Sequence, residues 1–400
     1  MRKPMRRGLA AIIGSVVLAA AACGGDDKSS SSGATTAPAS GGAATTAAAA
    51  ASAATTAASS SDPGAAARTR IEQFLKPATS IGISTPLTGK PPAGKKVYWL
   101  EGNIQSILPI TGGFKDAAGA LGWDLTVLTY DPADPQGPSA AMRQAVDGGA
   151  DYIAVSGQSI DILGQALDAA KAKKIPVIDM YSTDEVGGAA NGIYANVGGT
   201  PFSQRNAALL SDFVIADSGG DGNVLFVNVP DFKILQIVSD AVTGNFTSQC
   251  PNCTITPLNV SIGDMTSGTV ASQVVSSLQS NSKLDYVYVT IGDLATGLPE
   301  ALQAAGLGDK VKIVGGVPNT EQVQSLIDDK AAAYAPLGRP ASAWAAMDVM
   351  ARLSVGMDPD VKGHELLPSV IWTPDNVPKP AQDYEGAENY QEQFKKLWGV

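Results

Sequence analysis

The chain has 400 residues, 28 Lys and Arg against 38 Asp and Glu, a formal charge of −10, three Cys and one His. Acidity of this size argues against nucleic acid or an anionic lipid surface as partner. No segment after the N-terminal one approaches the length needed to cross a bilayer.

The chain opens with Arg2, Lys3, Arg6 and Arg7, then an apolar run from Leu9 to Ala22. A basic start, a short apolar stretch and small residues before a cleavage point form a secretory signal, too short for a spanning helix. Ala20-Ala21-Ala22-Cys23 resembles a bacterial lipobox. That resemblance implies that Cys23 is acylated and becomes the N-terminus, which places the rest of the chain outside the cytoplasm on a lipid anchor. Loss of four basic residues and no acidic one would leave the mature protein near −14.

Gly24 to Ala67 is almost entirely Ala, Ser, Thr and Gly, with nothing large to bury. It cannot offset the entropy of ordering and is expected to be a flexible tether, with an extended reach on the order of 100 Å. From Arg68 to Gly94, Ile71, Phe74 and Leu75 fall on one helical face, expected to pack on the first lobe. Residues 24–94 thus form a tether and N-terminal extension.

The remaining, roughly 330 residues suit two lobes better than one domain. Short β-branched or aromatic runs alternate with amphipathic helical patterns, as in a parallel sheet wrapped by helices. Predicted strands are 97–100, 125–129, 152–155, 175–179 and 193–197, with helices at 107–121, 138–148 and 160–173. The pattern then restarts, with strands at 223–227, 255–260, 285–290 and 311–314 and helices at 202–216, 232–246, 268–280 and 295–305. A repeated unit of this size predicts two similar doubly wound domains. Glycine pairs at 112, 187, 198 and 219 read as turns. Beyond Ala331 come a strand at 332–337, a helix at 341–355, a strand at 369–373 and a closing helix at 391–398, as in a chain crossing back between lobes. The boundaries drawn are 95–199 plus 336–368 for the first lobe and 200–335 plus 369–400 for the second.

Lys115-Asp116-Ala117-Ala118, Leu121-Gly122-Trp123, Gly148 to Ile153 and Lys174 to Ile178 resemble the ribose-type, type I periplasmic binding proteins of bacterial ABC importers. Gly292-Asp293, Glu300 to Gly306 and Thr373 to Val377 resemble the same family's second lobe and C-terminal segment. The resemblance implies an α/β fold of two Rossmann-like doubly wound lobes joined by a three-strand hinge, closing on a small solute. It also implies an ABC permease as membrane partner, a monomer, no cofactor and no catalysis. A module reporting the solute to a receptor kinase or chemoreceptor needs the same cleft and is the alternative.

Open parallel sheets bind ligands beyond the carboxyl ends of their strands. The candidate ligand residues there are Asn103, Gln105, Gln158, Tyr181, Asn196, Asp231, Phe232, Asp293 and Asn319. Sugar-binding relatives often carry an Asp-Arg pair after the fourth strand and Phe-Asp-Gly after the ninth. Here those places hold Tyr181-Ser182 and Gly316-Val317-Pro318, so a sugar-like or a less polar, aromatic or alicyclic solute fits the reading. Trp99, inside the first strand, reads as core. Arg339 reads equally as a ligand-carboxylate partner or an inter-lobe salt bridge.

Cys250 and Cys253 have redox spacing, but they follow a helix instead of opening one, and a structural disulfide is expected. A zinc site would need two further ligands, so no metal is expected. His364, between Gly and Pro residues, reads as a solvated loop residue. Gly157-Gln158-Ser159-Ile160-Asp161 lacks the closing Gly of a nucleophile elbow. There is no Walker loop, His-Glu-x-x-His or dinucleotide fingerprint.

Overall fold

The computed structural model describes residues 62–359 and 361–400. The expected signal, Cys23 and positions 24–61 lie outside the described residues.

Helix α1 (Pro63–Ile71) precedes β1 (Lys96–Gly102), α2 (Pro109–Leu121), β2 (Asp124–Tyr130), α3 (Gly137–Asp147), β3 (Tyr152–Ser156), α4 (Ile160–Ala172), β4 (Val177–Met180) and β5 (Ile193–Val197). The second half runs α5 (Thr200–Asp217), β6 (Asn223–Asn228), α6 (Lys233–Gln249), β7 (Thr254–Asn259), α7 (Ile262–Ser267), α8 (Val270–Ser280), β8 (Tyr286–Val289), α9 (Leu298–Ala304), β9 (Lys312–Gly316), α10 (Thr320–Ile327) and β10 (Ala333–Ala335). Helices α11 (Arg339–Ser354), α12 (Val361–Glu365) and α13 (Tyr390–Trp398) follow.

The strands form two five-stranded sheets, ordered β2-β1-β3-β4-β5 and, read from its β7 edge, β7-β6-β8-β9-β10. Every pairing within them is parallel. The two orders are the same, so the repetition in the sequence is a repetition of topology. Central strands such as β3 are buried along their whole length, as a sheet covered on both faces requires. In the first lobe Trp99 stacks on Phe114 at 4.9 Å and Trp344 on Trp398 at 5.1 Å. Trp99 is core, as expected.

Several expectations are corrected. The tether does not reach Ala67: Asp62 caps α1 by accepting from the Gly64 N–H at 2.9 Å, and Pro63 starts the helix with a preset φ. That helix packs on the second lobe, not the first, because Ile71 shares a core with Leu210 and Val214, and Arg70 grips Asp212 with two hydrogen bonds of 2.8 and 2.7 Å. The extension then crosses over, and Ile81 and Ile83 join the first-lobe core. The closing helix α13, assigned to the second lobe, also belongs to the first: Phe394 and Trp398 pack on Trp344. The expected strand 369–373 is reduced to one antiparallel bridge between Tyr334 and Trp372.

Helices α7 and α10 were not anticipated, although each opens with a capping box, Ser261 with Asp264 and Asn319 with Gln322. The glycine pair at 112 sits inside α2 instead of a turn. A Cβ on Gly113 would stand 2.3 Å from the Pro340 carbonyl oxygen, so glycine lets α2 and α11 approach. His364 is buried, not solvated, with Nε2 2.9 Å from Asp348 Oδ2. Arg352 donates to the same oxygen at 2.7 Å and the Trp398 indole to Oδ1 at 2.7 Å. Cys250 and Cys253 are joined as a disulfide in the turn between α6 and β7.

Candidate functional site: a cavity between two strand-end rims

A cavity of about 150 Å³ is walled by both halves of the chain. The first lobe contributes Ile104 and Ser106 after β1, Gln158 after β3 and Tyr181 after β4. The second contributes Phe202 and Asn206 from the first turns of α5, Phe232 at the start of α6, Thr290 and Ile291 after β8, and Val317 after β9. Leu337, on the segment returning from β10 to α11, also lines it.

Tyr181 and Val317 occupy equivalent places in the two sheets, each the first residue after the fourth strand of its repeat. Both are left-handed, with φ of 53° and 47°. Each backbone N–H donates to the end of the next strand, Tyr181 to Val197 at 2.9 Å and Val317 to Ala335 at 3.0 Å. A left-handed conformation at non-glycine residues costs about 1–3 kcal/mol each and concentrates at functional sites. Here it turns both side chains toward the same cavity.

Arg339 stands at the first turn of α11, almost wholly buried. It donates to the carbonyl of Ser106 at 3.2 Å, in the first lobe, and to the carbonyl of Pro318 at 3.0 Å, in the second, and pairs with Asp383 at 2.9 Å. Burial lowers its pKa, opposed by the charge of Asp383. It is an inter-lobe clamp and does not line the cavity. Burial pushes the Tyr130 and Tyr181 phenols up, so both are neutral donors at physiological pH. It also holds the Asp179 carboxyl well above the usual carboxylate range.

Of the candidate ligand residues, Gln158, Tyr181 and Phe232 line the cavity. Asn103 and Gln105 are exposed, and their neighbours Ile104 and Ser106 face inward instead. Asn196 is spent locally, donating to the Ser182 carbonyl at 2.7 Å and accepting from its N–H. Asn319 caps α10. Asp231 lines a neighbouring groove with Asp161 and Lys233, which shares Gln158 and Phe232 with the cavity. Asp293 does not line the cavity, and its Oδ2 is buried without a hydrogen-bond partner. Sequence reasoning missed Phe202, Ile291 and Leu337. For Ile291 and Leu337 the available signal was a large apolar residue just after a strand, where connecting segments ordinarily meet water, while Phe202 lies within α5 and carried no such mark.

Among the described residues no cluster of His, Cys, Asp and Glu could hold a metal ion, and no helix is long and apolar enough to cross a membrane. Two parallel α/β lobes sharing a cavity at their strand ends define a solute-binding architecture, since ligands of such sheets sit where the strand order reverses.

A model of the periplasmic binding protein domain family matches residues 100–358, and the chain belongs to that family. It is accordingly an extracytoplasmic type of binding protein and not an enzyme. No curated protein sequence matches the chain. Among solved structures it resembles GanP, a glucose-galactose binding protein from Geobacillus stearothermophilus, at 18% identity and a TM-score of 0.63, over 72% of this chain and 100% of that one. A 5-methylthioribose transporter solute binding protein from Thermotoga lettingae is 17% identical with a TM-score of 0.63, over 79% and 96%. An ABC transporter solute binding protein from Mycobacterium smegmatis with bound glycerol is 19% identical with a TM-score of 0.63, over 74% and 100%. At these identities the likeness is one of fold.

Proposed function

We propose that this chain captures a small solute between its lobes and delivers it to an ABC permease, while a lipid on Cys23 keeps it at the outer face of the cell membrane. The observation that carries this reading is the cavity itself: its walls come from the strand ends of both lobes, so a molecule held there is in contact with both. A solute that touches both lobes favours the closed arrangement over an open one in proportion to that differential contact. The related structures named above hold or are named for sugars and glycerol, which supports a small neutral solute. Residues 1–61 supply the signal, the acylation site and the tether in this account.

The test is calorimetric titration of the soluble part, residues 62–400, against a panel of sugars, polyols and neutral ring compounds, with small-angle scattering on each hit. Binding accompanied by compaction is the expected result. Silence from the whole panel, or binding without compaction, would count against capture. Loss of uptake of the hit solute when Cys23 is replaced by Ala in cells would support the anchor and the permease role. A sensor would instead leave uptake unchanged.

A further inference from the structure

We propose that the solute is a neutral ring compound with a mostly carbon surface, aromatic or alicyclic, bearing one hydroxyl or carbonyl oxygen that Gln158 reads; this rests on the capture reading above. Among the described residues no Asp, Glu, Lys, Arg or His lines the cavity. The nearby charges stand behind its wall: Asp179 is within electrostatic reach of Tyr130, Arg339 within reach of Tyr181, and the Arg205 guanidinium lies 5.8 Å from the centre of the Phe202 ring while donating to the Ser369 hydroxyl and the Leu367 carbonyl. A charged solute would therefore give up its hydration without meeting a counter-ion in contact, which apolar walls do not repay.

The wall also disfavours a polyhydroxylated solute. The surface it presents is overwhelmingly carbon, from side chains such as Ile107, Phe202, Phe232, Leu235 and Val238. A sugar carries a hydroxyl on nearly every carbon, and each one buried without a partner weakens binding. The polar side chains on the wall are partly committed. Asn206 accepts a hydrogen bond from the Ser369 hydroxyl. The Thr290 hydroxyl and the Tyr181 phenol are closed to solvent and have no hydrogen-bond partner, so they reach a solute only if the wall shifts. Gln158 is buried, lines the cavity and hydrogen-bonds the Tyr130 phenol, and the rest of its amide can donate to a solute hydroxyl or carbonyl oxygen or accept from a solute hydroxyl. Phe232, from the second lobe, offers a ring face for stacking, whereas the Phe202 ring already carries the Arg205 guanidinium.

The probes are benzyl alcohol, cyclohexanol, toluene, benzoate and D-glucose, each titrated into residues 62–400 by calorimetry, with the rise in melting temperature as a second readout. Benzyl alcohol and cyclohexanol are expected to bind at least tenfold more tightly than benzoate or D-glucose. Gln158→Met should weaken benzyl alcohol about tenfold and leave toluene unchanged. Phe232→Leu, at a half-buried position, should weaken benzyl alcohol and toluene alike. If D-glucose or another sugar binds most tightly, or if Gln158→Met weakens toluene as much as benzyl alcohol, the inference is overturned while capture stands. If none of the five probes binds, the inference is overturned, and compaction with any member of the broader panel shows whether capture survives it.

Discussion

Lys233 Nζ, at the start of α6 in the second lobe, stands 2.9 Å from Asp161 Oδ2, at the start of α4 in the first. The pair bridges the lobes at the cleft mouth, in the groove that also contains Gln158 and Phe232. The neighbouring carboxylate of Asp161 raises the Lys233 pKa, so the ammonium stays charged across the physiological range.

Both side chains are more than half exposed, which limits what the bridge can contribute. A double-mutant cycle with Lys233→Ala and Asp161→Ala is expected to give a coupling of about 0.2–1 kcal/mol in solute affinity. That coupling should shrink as salt is raised from 10 mM to 1 M. A coupling that survives high salt would mean the bridge acts in some way other than as a screened surface pair.

Arg339 makes a different kind of link, because its partners are two carbonyl groups in different lobes and it is shielded from solvent. Replacing it with Met strips both carbonyls and Asp383 of their donor. The expected loss is about 2–4 kcal/mol of unfolding free energy, from hydrogen bonds to a charged group at about 1.5–3 kcal/mol each with partial relaxation. Urea titration measures it.

Gly112 and Gly113 are adjacent in α2 and should respond in opposite directions. A Cβ at Gly112 meets nothing within 4 Å, so Gly112→Ala gains helix propensity, about 0.5–1 kcal/mol. At Gly113 the new methyl would collide with backbone atoms of Pro340, and overpacking of that kind costs about 1–3 kcal/mol. Thermal melts of the two variants in parallel decide the matter.

Asp179 and Asp348 are both buried and should give opposite pH profiles. Burial holds the Asp179 carboxyl well above its ordinary value, so the folded protein keeps a proton that the unfolded chain releases above about pH 4. Stability tied to that proton is present below the unfolded pKa and is lost as pH rises toward the folded one. Asp179→Asn should therefore gain on the parent protein progressively as pH is raised above 4.

For Asp348, burial alone would raise the pKa, but the hydrogen bond and charge of His364, together with Arg352, bring it below the ordinary value. Its contribution is present above about pH 4 and is lost as pH falls through the depressed folded pKa. Asp348→Asn should cost about 3–5 kcal/mol near neutrality, since it leaves Arg352 buried without its carboxylate. The variant should also show a flatter loss of stability in acid than the parent. Chemical denaturation between pH 3 and 8 reads both variants.

The alternation of strand and helix was legible because each signal is local. Tyr152-Ile153-Ala154-Val155 can only be a short buried strand, and Gly148-Gly149 before it can only stop a helix. Two rounds of the same alternation then sufficed to anticipate two lobes with a cleft between them. The candidate site was legible to the level of which loops form it, since strand ends in a parallel sheet share one rim.

Which residues on those loops face inward was decided only by tertiary structure. Asn103 and Gln105 have the chemistry of ligand residues, yet Ile104 and Ser106 line the cavity, because a loop's orientation depends on the elements it rests against. His364 carries no local mark of burial, and Asp348, which accepts from it, lies on a different helix. The same holds for α13. Its apolar stripe requires a partner, but that the partner is Trp344 of the first lobe follows from packing between segments far apart in the chain. Periodicity and turn chemistry are properties of neighbours in sequence, and so the sequence determined the elements and their order. Burial, pairing and the carbon-rich wall of the cavity are properties of neighbours in space, and only the folded chain brings those together.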